Sequence, residues 1–255
     1  MHKKRYLELV LYKTYADLKA EAARTYISFM WWILDPLLYM AVFYIVFDVL
    51  LKRGTDNFIS FLLVGLVLWK WFASSIQHAL NSISIHRGLI QQIYLPKWLF
   101  PVITVLTDLV KFIIIFMILL VLLLIIGVMP GIAWINLPIL IMCQLLFIMG
   151  CSCLAAAITP FFPDFRLLTE SGLTLMMFLS GIFYESKTIP INFQVFFFAN
   201  PMAVMIDAFR ITLLENRHPN WLLISYVFFI SNVLLAVALN ILKRFDRVYP
   251  RMTFA

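Results

Sequence analysis

Six stretches of the chain stay apolar for about the length of a membrane span, and most polar positions fall between them. The runs cover 27–51, 58–77, 109–129, 133–158, 167–184 and 221–242. A helix needs about 20 such residues to cross a hydrocarbon core ~30 Å thick, so the pattern predicts six transmembrane helices. Two other segments are patterned differently. Near the N-terminus Leu7, Leu11, Tyr15, Leu18 and Ala22 recur at helical spacing, with Lys13, Asp17, Glu21 and Arg24 on the far side. An amphipathic helix of this kind lies along the inner leaflet, as an anchor, as a platform for a partner, or as both. Residues 185–220 hold two apolar pieces, IPINFQVFFFA and PMAVMIDAFRITLL, each too short to span. Asn200-Pro201 divides them, and a capping Asn followed by Pro is a helix start. Two half-helices dipping into the outer leaflet are predicted there, since broken backbone at that depth must be buried in protein or line a cavity. Asp207 and Arg210, three apart on the second, share a face and can pair.

Local interruptions refine the spans. Asp35-Pro36 breaks the first, as a cap with a bend. Between the second and third lies SIHRGLIQQIYLPKWLFP, where Leu89, Ile90 and Ile93 form a short apolar face ended by Pro96. A short helix that docks into something is expected. Lys70 sits 12 residues past Phe58, roughly 18 Å along a helix. A lysine at that depth faces a polar cavity or partner, or else a tilted helix carries it to an interface between Trp69 and Trp71.

Composition agrees with this pattern. Of 255 residues, 64% are hydrophobic and 13% charged, and the mean hydropathy is +0.96; a soluble domain carries about 25% charged residues. The net charge of +7 orients the chain and meets anionic lipid rather than nucleic acid. With both termini cytoplasmic, 13 of the 20 Lys and Arg fall on the inner side and five on the outer, with Lys70 and Lys111 inside spans. That is the bias expected of a multi-pass protein in this orientation. The charged N-terminus lacks the uninterrupted apolar core of a cleavable signal peptide.

Catalytic chemistry is not visible. The sequence has no G-x-x-x-x-G-K-[ST] phosphate loop, no H-E-x-x-H and no G-x-S-x-G. Cys143, Cys151 and Cys153 share one apolar run as packing residues, and His2, His78, His86 and His218 are scattered. Transport is therefore expected, without a metal or cofactor in this chain and with energy supplied by a partner.

The ordered motifs resemble the membrane subunit of type-2 ABC exporters of the polysaccharide and O-antigen family. The matching pieces are GLVLWKWF, GLIQQIYLPKWLFP, ITPFFPDFRLL, LSGIFY and NPMAVMIDAFR, in the right order over nearly the whole chain. The resemblance implies an all-α membrane protein with one domain over 1–255: an amphipathic interface helix in 1–26, five spans in 27–184, gate helices in 185–220, a sixth span in 221–242 and a tail in 243–255. It implies a homodimer in the bacterial inner membrane, joined to two ATPase subunits that carry the ATP and Mg. It implies export of a lipid-linked polysaccharide, O-antigen first, to the periplasm. Capsule or teichoic acid, or a small lipid or drug, is the alternative cargo.

Site residues follow from the same resemblance. His86, Arg87, Leu89, Ile90, Ile93 and Tyr94 would form the coupling helix, with Asp164 and Arg166 as a second cytoplasmic contact. Phe196, Phe197, Asn200, Pro201, Asp207 and Arg210 would form the outer gate. Tyr39, Phe43, Trp69, Lys70, Trp71, Phe72, Phe183 and Tyr184 are candidates for channel contact with the glycan, since aromatic faces stack on sugar rings without gripping any one of them. Two departures stand out: Arg166 follows Asp164, where many members place an Arg before it, and Gly181 stands where many have Pro.

Overall fold

The computed structural model describes residues 3–24, isolated positions between 34 and 45, 58–92 and 94–249. The predicted first span falls almost wholly outside these, as do Tyr39, Phe43, the Asp35-Pro36 break and Ile93. Among the described residues all regular structure is helical. In chain order the α-helices are α1 (Lys3–Arg24), α2 (Phe58–Leu80), α3 (Ser82–Ile85), α4 (Arg87–Gln92), α5 (Leu99–Ile126), α6 (Leu137–Ile158), α7 (Phe165–Leu179), α8 (Ile191–Phe198), α9 (Pro201–Leu213) and α10 (Trp221–Arg244).

Among the described residues four helical stretches are long and apolar enough to cross a membrane: α2, α5, Ile132–Ile158 (α6 with the 3₁₀ turn before it) and α10. The chain is a multi-pass membrane protein. The predicted fifth span is shorter than expected: α7 has 15 residues and stops at Leu179. There Ser180 bonds back to the Met176 carbonyl and Gly181 takes a left-handed φ of 69°. The third span starts ten residues earlier than predicted, at Leu99, and so includes Asp108. It ends where Gly127, at φ 100°, caps the last turn while Val128 N–H donates to the Leu123 carbonyl at 2.9 Å.

The bundle is built on close backbone approach. α6 and α10 pack along their length, and a Cβ added to Gly150 would sit 3.0 Å from the Leu234 Cβ and 3.2 Å from the Ser231 carbonyl oxygen. Cys153, Ala157, Ser231 and Ala238 are buried in the bundle. Small residues let helices meet where lipid gives no hydrophobic drive for association. Enclosed between α5, α6 and α9 is α2, which stacks Trp71 on Phe112 (3.9 Å between centroids) and Phe72 on Phe147 (5.4 Å).

α1 does not lie apart from the bundle. Tyr6 meets Trp98 edge-on at 6.2 Å, Val10 joins the cluster around Leu99 and Ile103, and Glu21 pairs with Lys111 at 2.6 Å. The helix therefore follows α5 for about three turns or more. Its buried side runs through Val10 and Thr14, while Leu11 and Tyr15 of the predicted apolar stripe are exposed. Glu21, assigned by periodicity to the outer polar side, turns inward because Lys111 offers it an ion pair.

Candidate functional site

Two regions at opposite ends of the bundle gather the chain's polar chemistry. The first is the hairpin of α8 and α9, bent by 103° at the break. Asn200 makes the turn: its Oδ1 accepts from Met202 N–H at 3.0 Å, its Nδ2 donates to Ser180 Oγ at 2.9 Å, and Pro201 opens α9. Arg210, one turn from the end of α9, is buried at 7% exposure. Its guanidinium donates to three carbonyls: Nε to Phe61 (3.1 Å), Nη1 to Gly181 (2.6 Å) and Nη2 to Ile182 (2.8 Å). It also lies 3.3 Å over the Phe61 ring. One side chain thus ties the hairpin to α2 and to the turn that ends α7.

Two glycines make this lock possible. A Cβ on Gly65 would sit 2.6 Å from Arg210 Nη2, so any larger residue there would push the guanidinium out of this position. Gly181 turns its carbonyl toward Nη1 from a left-handed backbone, which proline, fixed near −65°, cannot adopt. The Gly in place of Pro noted in the sequence thus has a local reason. The possible pairing of Asp207 with Arg210 is not what the geometry holds together. Arg210 is bonded to carbonyls, and Asp207 Oδ1 accepts from Ser186 Oγ at 2.9 Å. Both line a cleft of about 510 Å³ together with Glu185, Lys187, Glu215 and Arg217. Lys187 Nζ donates to Glu215 Oε1 at 3.0 Å, and that bond raises the lysine's pKa.

Beside the hairpin, Tyr184, Phe193, Phe196 and Phe197 line a hollow of about 660 Å³. Tyr184 and Phe197 lie 6.1 Å apart by ring centroids, and Phe183 lies 5.6 Å from Phe178. Aromatic surface open to a passing molecule is therefore found here rather than along α2. Trp71 and Phe72 point into the core at 3% and 2% exposure, held by the stacks on Phe112 and Phe147, and are not available as lining of this subunit's surface. Trp69 and Lys70 border a groove of about 350 Å³ between α2 and α7, with Ser74, Gln77 and Thr174 at its polar positions. Lys70, Ser74 and Gln77 share one face of α2 and line this groove.

The second region is the end where the basic residues concentrate. The connection from α2 to α5 folds back as α3 and α4. His86 bonds through Nδ1 to the Ser82 carbonyl (2.8 Å) and stacks on Phe100 (4.9 Å). Arg87 opens α4. Ile90 is buried, and Leu89 packs against the same cluster, so the apolar face of this segment holds it to the bundle. Exposed instead are Ile85 at 73% and Tyr94 at 67%. On the loop after α6, Phe162 and Asp164 are exposed, and in the first turns of α7 Arg166 pairs with Glu170 (3.1 Å) beside exposed Leu167 and Leu168.

Sequence reasoning missed two clusters. Asp246 accepts Tyr94 O–H at 2.6 Å and Lys97 N–H at 2.8 Å. Lys97 is itself buried, and burial lowers its pKa although Asp246 opposes the shift. Inside the bundle, Asp108 lies 2.9 Å from His78 Nδ1 and 3.8 Å from Lys111 Nζ. The sequence signal for this was Asp108 and Lys111 three apart, hidden because the predicted span began one residue past Asp108.

The family model for ABC-2 type transporters matches residues 14–214. The chain belongs to the ABC-2 type transporter family. Among similar proteins are two O-antigen export system permease proteins RfbA of Klebsiella pneumoniae, each 28% identical over 238 residues that make up 93% of this chain and 92% of theirs. A third, of the same name from Myxococcus xanthus, is 28% identical over 240 residues, with 93% of this chain and 92% of that protein covered. The family is one of transporter membrane subunits, and membership in it implies partnering with an ABC ATPase. Within this ABC-2 chain both polar regions described here, apart from the C-terminal turn with Asp246, fall within or directly beside the matched residues.

Proposed function

We propose that this chain is the membrane subunit of an ATP-driven exporter that moves a lipid-linked polysaccharide, O-antigen first among candidates, from the cytoplasm to the periplasm. The observation that carries it is the match over 93% of the chain to permeases named for O-antigen export. Two copies form a channel at their interface in the inner membrane, with both termini cytoplasmic, and two ATPase subunits carrying ATP and Mg dock from inside.

The geometry supports a division of labour. The α8–α9 hairpin is the outer gate, held shut by Arg210 on the carbonyls of Phe61, Gly181 and Ile182. The aromatic hollow of Tyr184, Phe193, Phe196 and Phe197 offers ring faces to the glycan as it leaves. At the other end Ile85, Tyr94, Phe162 and Leu167 are the exposed apolar positions that meet the ATPase, with His86, Arg87, Asp164 and Arg166 at their margins. Leu89 and Ile90 anchor the coupling segment rather than touch the partner. α1 runs beside α5 and carries exposed Leu11, Tyr12 and Tyr15 toward lipid or the partner.

Deleting the gene in its source organism tests this. Lipid-linked glycan is expected to accumulate in the cytoplasmic leaflet and surface polysaccharide to disappear. Normal surface polysaccharide in the deletion strain would sink the proposal.

A further inference from the structure

The turn that follows the last span, residues 245–249, touches both connections at the basic end. Asp246 takes one hydrogen bond on each carboxylate oxygen: Tyr94 O–H on Oδ2 at 2.6 Å and Lys97 backbone N–H on Oδ1 at 2.8 Å. Charged acceptors make such bonds short and about twice as strong as neutral ones. The segment it holds is fixed further by Lys97 Nζ, which donates to the Leu95 carbonyl at 2.8 Å and lies 5.0 Å from the Tyr94 ring centroid. Three residues on, Tyr249 is fully buried and its hydroxyl donates to the Ala157 carbonyl, at the end of α6, at 3.0 Å. Phe161, on the loop after α6, is packed edge-on by Phe245 at 5.3 Å and by Tyr249 at 5.2 Å.

The same helix reaches the gate. Near the other end of α10, Tyr226 O–H donates to the Ala199 carbonyl at 2.8 Å, at the bend between α8 and α9. Tyr226 and Asp246 are 20 residues apart, a helical span of about 30 Å. Packed along α6, α10 is a rod pinned at both ends.

We propose that Asp246 is a positioning residue that fastens the coupling segment to the last span, and that α10 carries its displacement to the outer hairpin through Tyr226. This rests on the exporter reading above. Neither residue touches ATP or glycan; each acts by holding another element in register. A push on residues 85–94, or on the loop at 160–166, is then delivered to one shared turn and on to the gate. The hydrogen bond at Ala199 turns that displacement into hinge motion at Asn200.

The test uses the full chain with its own ATPase, expressed from the native locus in the deletion strain, with surface polysaccharide measured at equal membrane levels of protein. Asp246→Ala is expected to lower export at least tenfold. Asp246→Asn, which keeps an oxygen for Lys97 N–H, is expected to restore at least a third of it. Tyr94→Phe and Tyr226→Phe, which keep ring and fold, are each expected to lower export about threefold. Together they are expected to lower it little further, because links in series do not add as independent sites do. Export within twofold of wild type for Asp246→Ala would overturn the proposal, as would a multiplied loss in the Tyr94→Phe/Tyr226→Phe double variant.

Amide hydrogen exchange on the purified protein provides a second arm that needs no transport. Asp246→Ala is expected to raise exchange at least fivefold at 94–97 and at 157–161 together. Faster exchange confined to 94–97 would break the three-way link. If the deletion strain itself exports normally, the exporter reading falls, and the exchange arm still decides whether the turn joins the two connections.

Discussion

Arg210→Ala removes the side chain that ties the α8–α9 hairpin to α2 and to the turn after α7. Three charge-assisted bonds end on carbonyls from two separate places in the chain, Phe61 on α2 and Gly181 and Ile182 in the turn after α7. Each such bond is worth about 1.5–3 kcal/mol. They share one guanidinium, so their loss does not sum in full; each buried carbonyl left without that donor costs about 1–3 kcal/mol, and about 3–5 kcal/mol is expected for the three together. For a chain of this size that corresponds to a fall in Tm of roughly 10 °C. Thermal unfolding of the detergent-purified protein reads it directly. Arg210→Lys is expected to recover less than half, since an ammonium lacks the planar fork that reaches several carbonyls at once. Asp207→Asn is the control: Asn keeps an oxygen for Ser186 Oγ, so it is expected to cost under about 1 kcal/mol. A fall of less than about 2 °C for Arg210→Ala would refute the carbonyl lock, and a fall for Asp207→Asn equal to that for Arg210→Ala would point to an Arg210–Asp207 pair in its place.

Other expectations are smaller in scope. Gly181→Ala places a side chain at φ 69° and within 2.7 Å of the Phe197 ring, so a loss of about 1–3 kcal/mol is expected in the same unfolding assay; unchanged stability would show that the turn relaxes. Ile85→Asp, on the exposed side of the coupling segment, is expected to leave the protein folded while lowering the amount of ATPase that co-purifies at least fivefold; full recovery of the ATPase would remove Ile85 from the docking surface. Lys187→Ala breaks an exposed pair with Glu215 and is expected to change stability by under about 1 kcal/mol, with a larger change pointing to a role for the cleft beyond solvation.

Much of the architecture could be read from periodicity, and the places where it failed share a cause. Hydropathy located α2, α6 and α10 because each holds an apolar window long enough to cross a membrane. It began the third span at 109, just past Asp108, although Asp108 is kept in the bundle by His78 from another element and by Lys111. It extended the fifth through Ser180 and Gly181, where apolar neighbours conceal a left-handed turn. Asn200-Pro201 was visible as a break because capping chemistry is local. Trp71 and Phe72 read as lining because composition does not say which side of a helix meets Phe112 and Phe147. Arg210 stood out by its charge, but its partners are backbone carbonyls, which no sequence pattern names. Asp246, 149 residues from Lys97, lay in a tail that seemed merely basic.

Transport itself is measured most directly in inverted membrane vesicles that contain this chain and its ATPase, loaded on the outer face with lipid-linked glycan. On addition of ATP, glycan is expected to become protected from an added glycosidase as it enters the lumen, and protection is expected to vanish in vesicles from the deletion strain. Equal protection with and without the chain would contradict its role as a polysaccharide exporter.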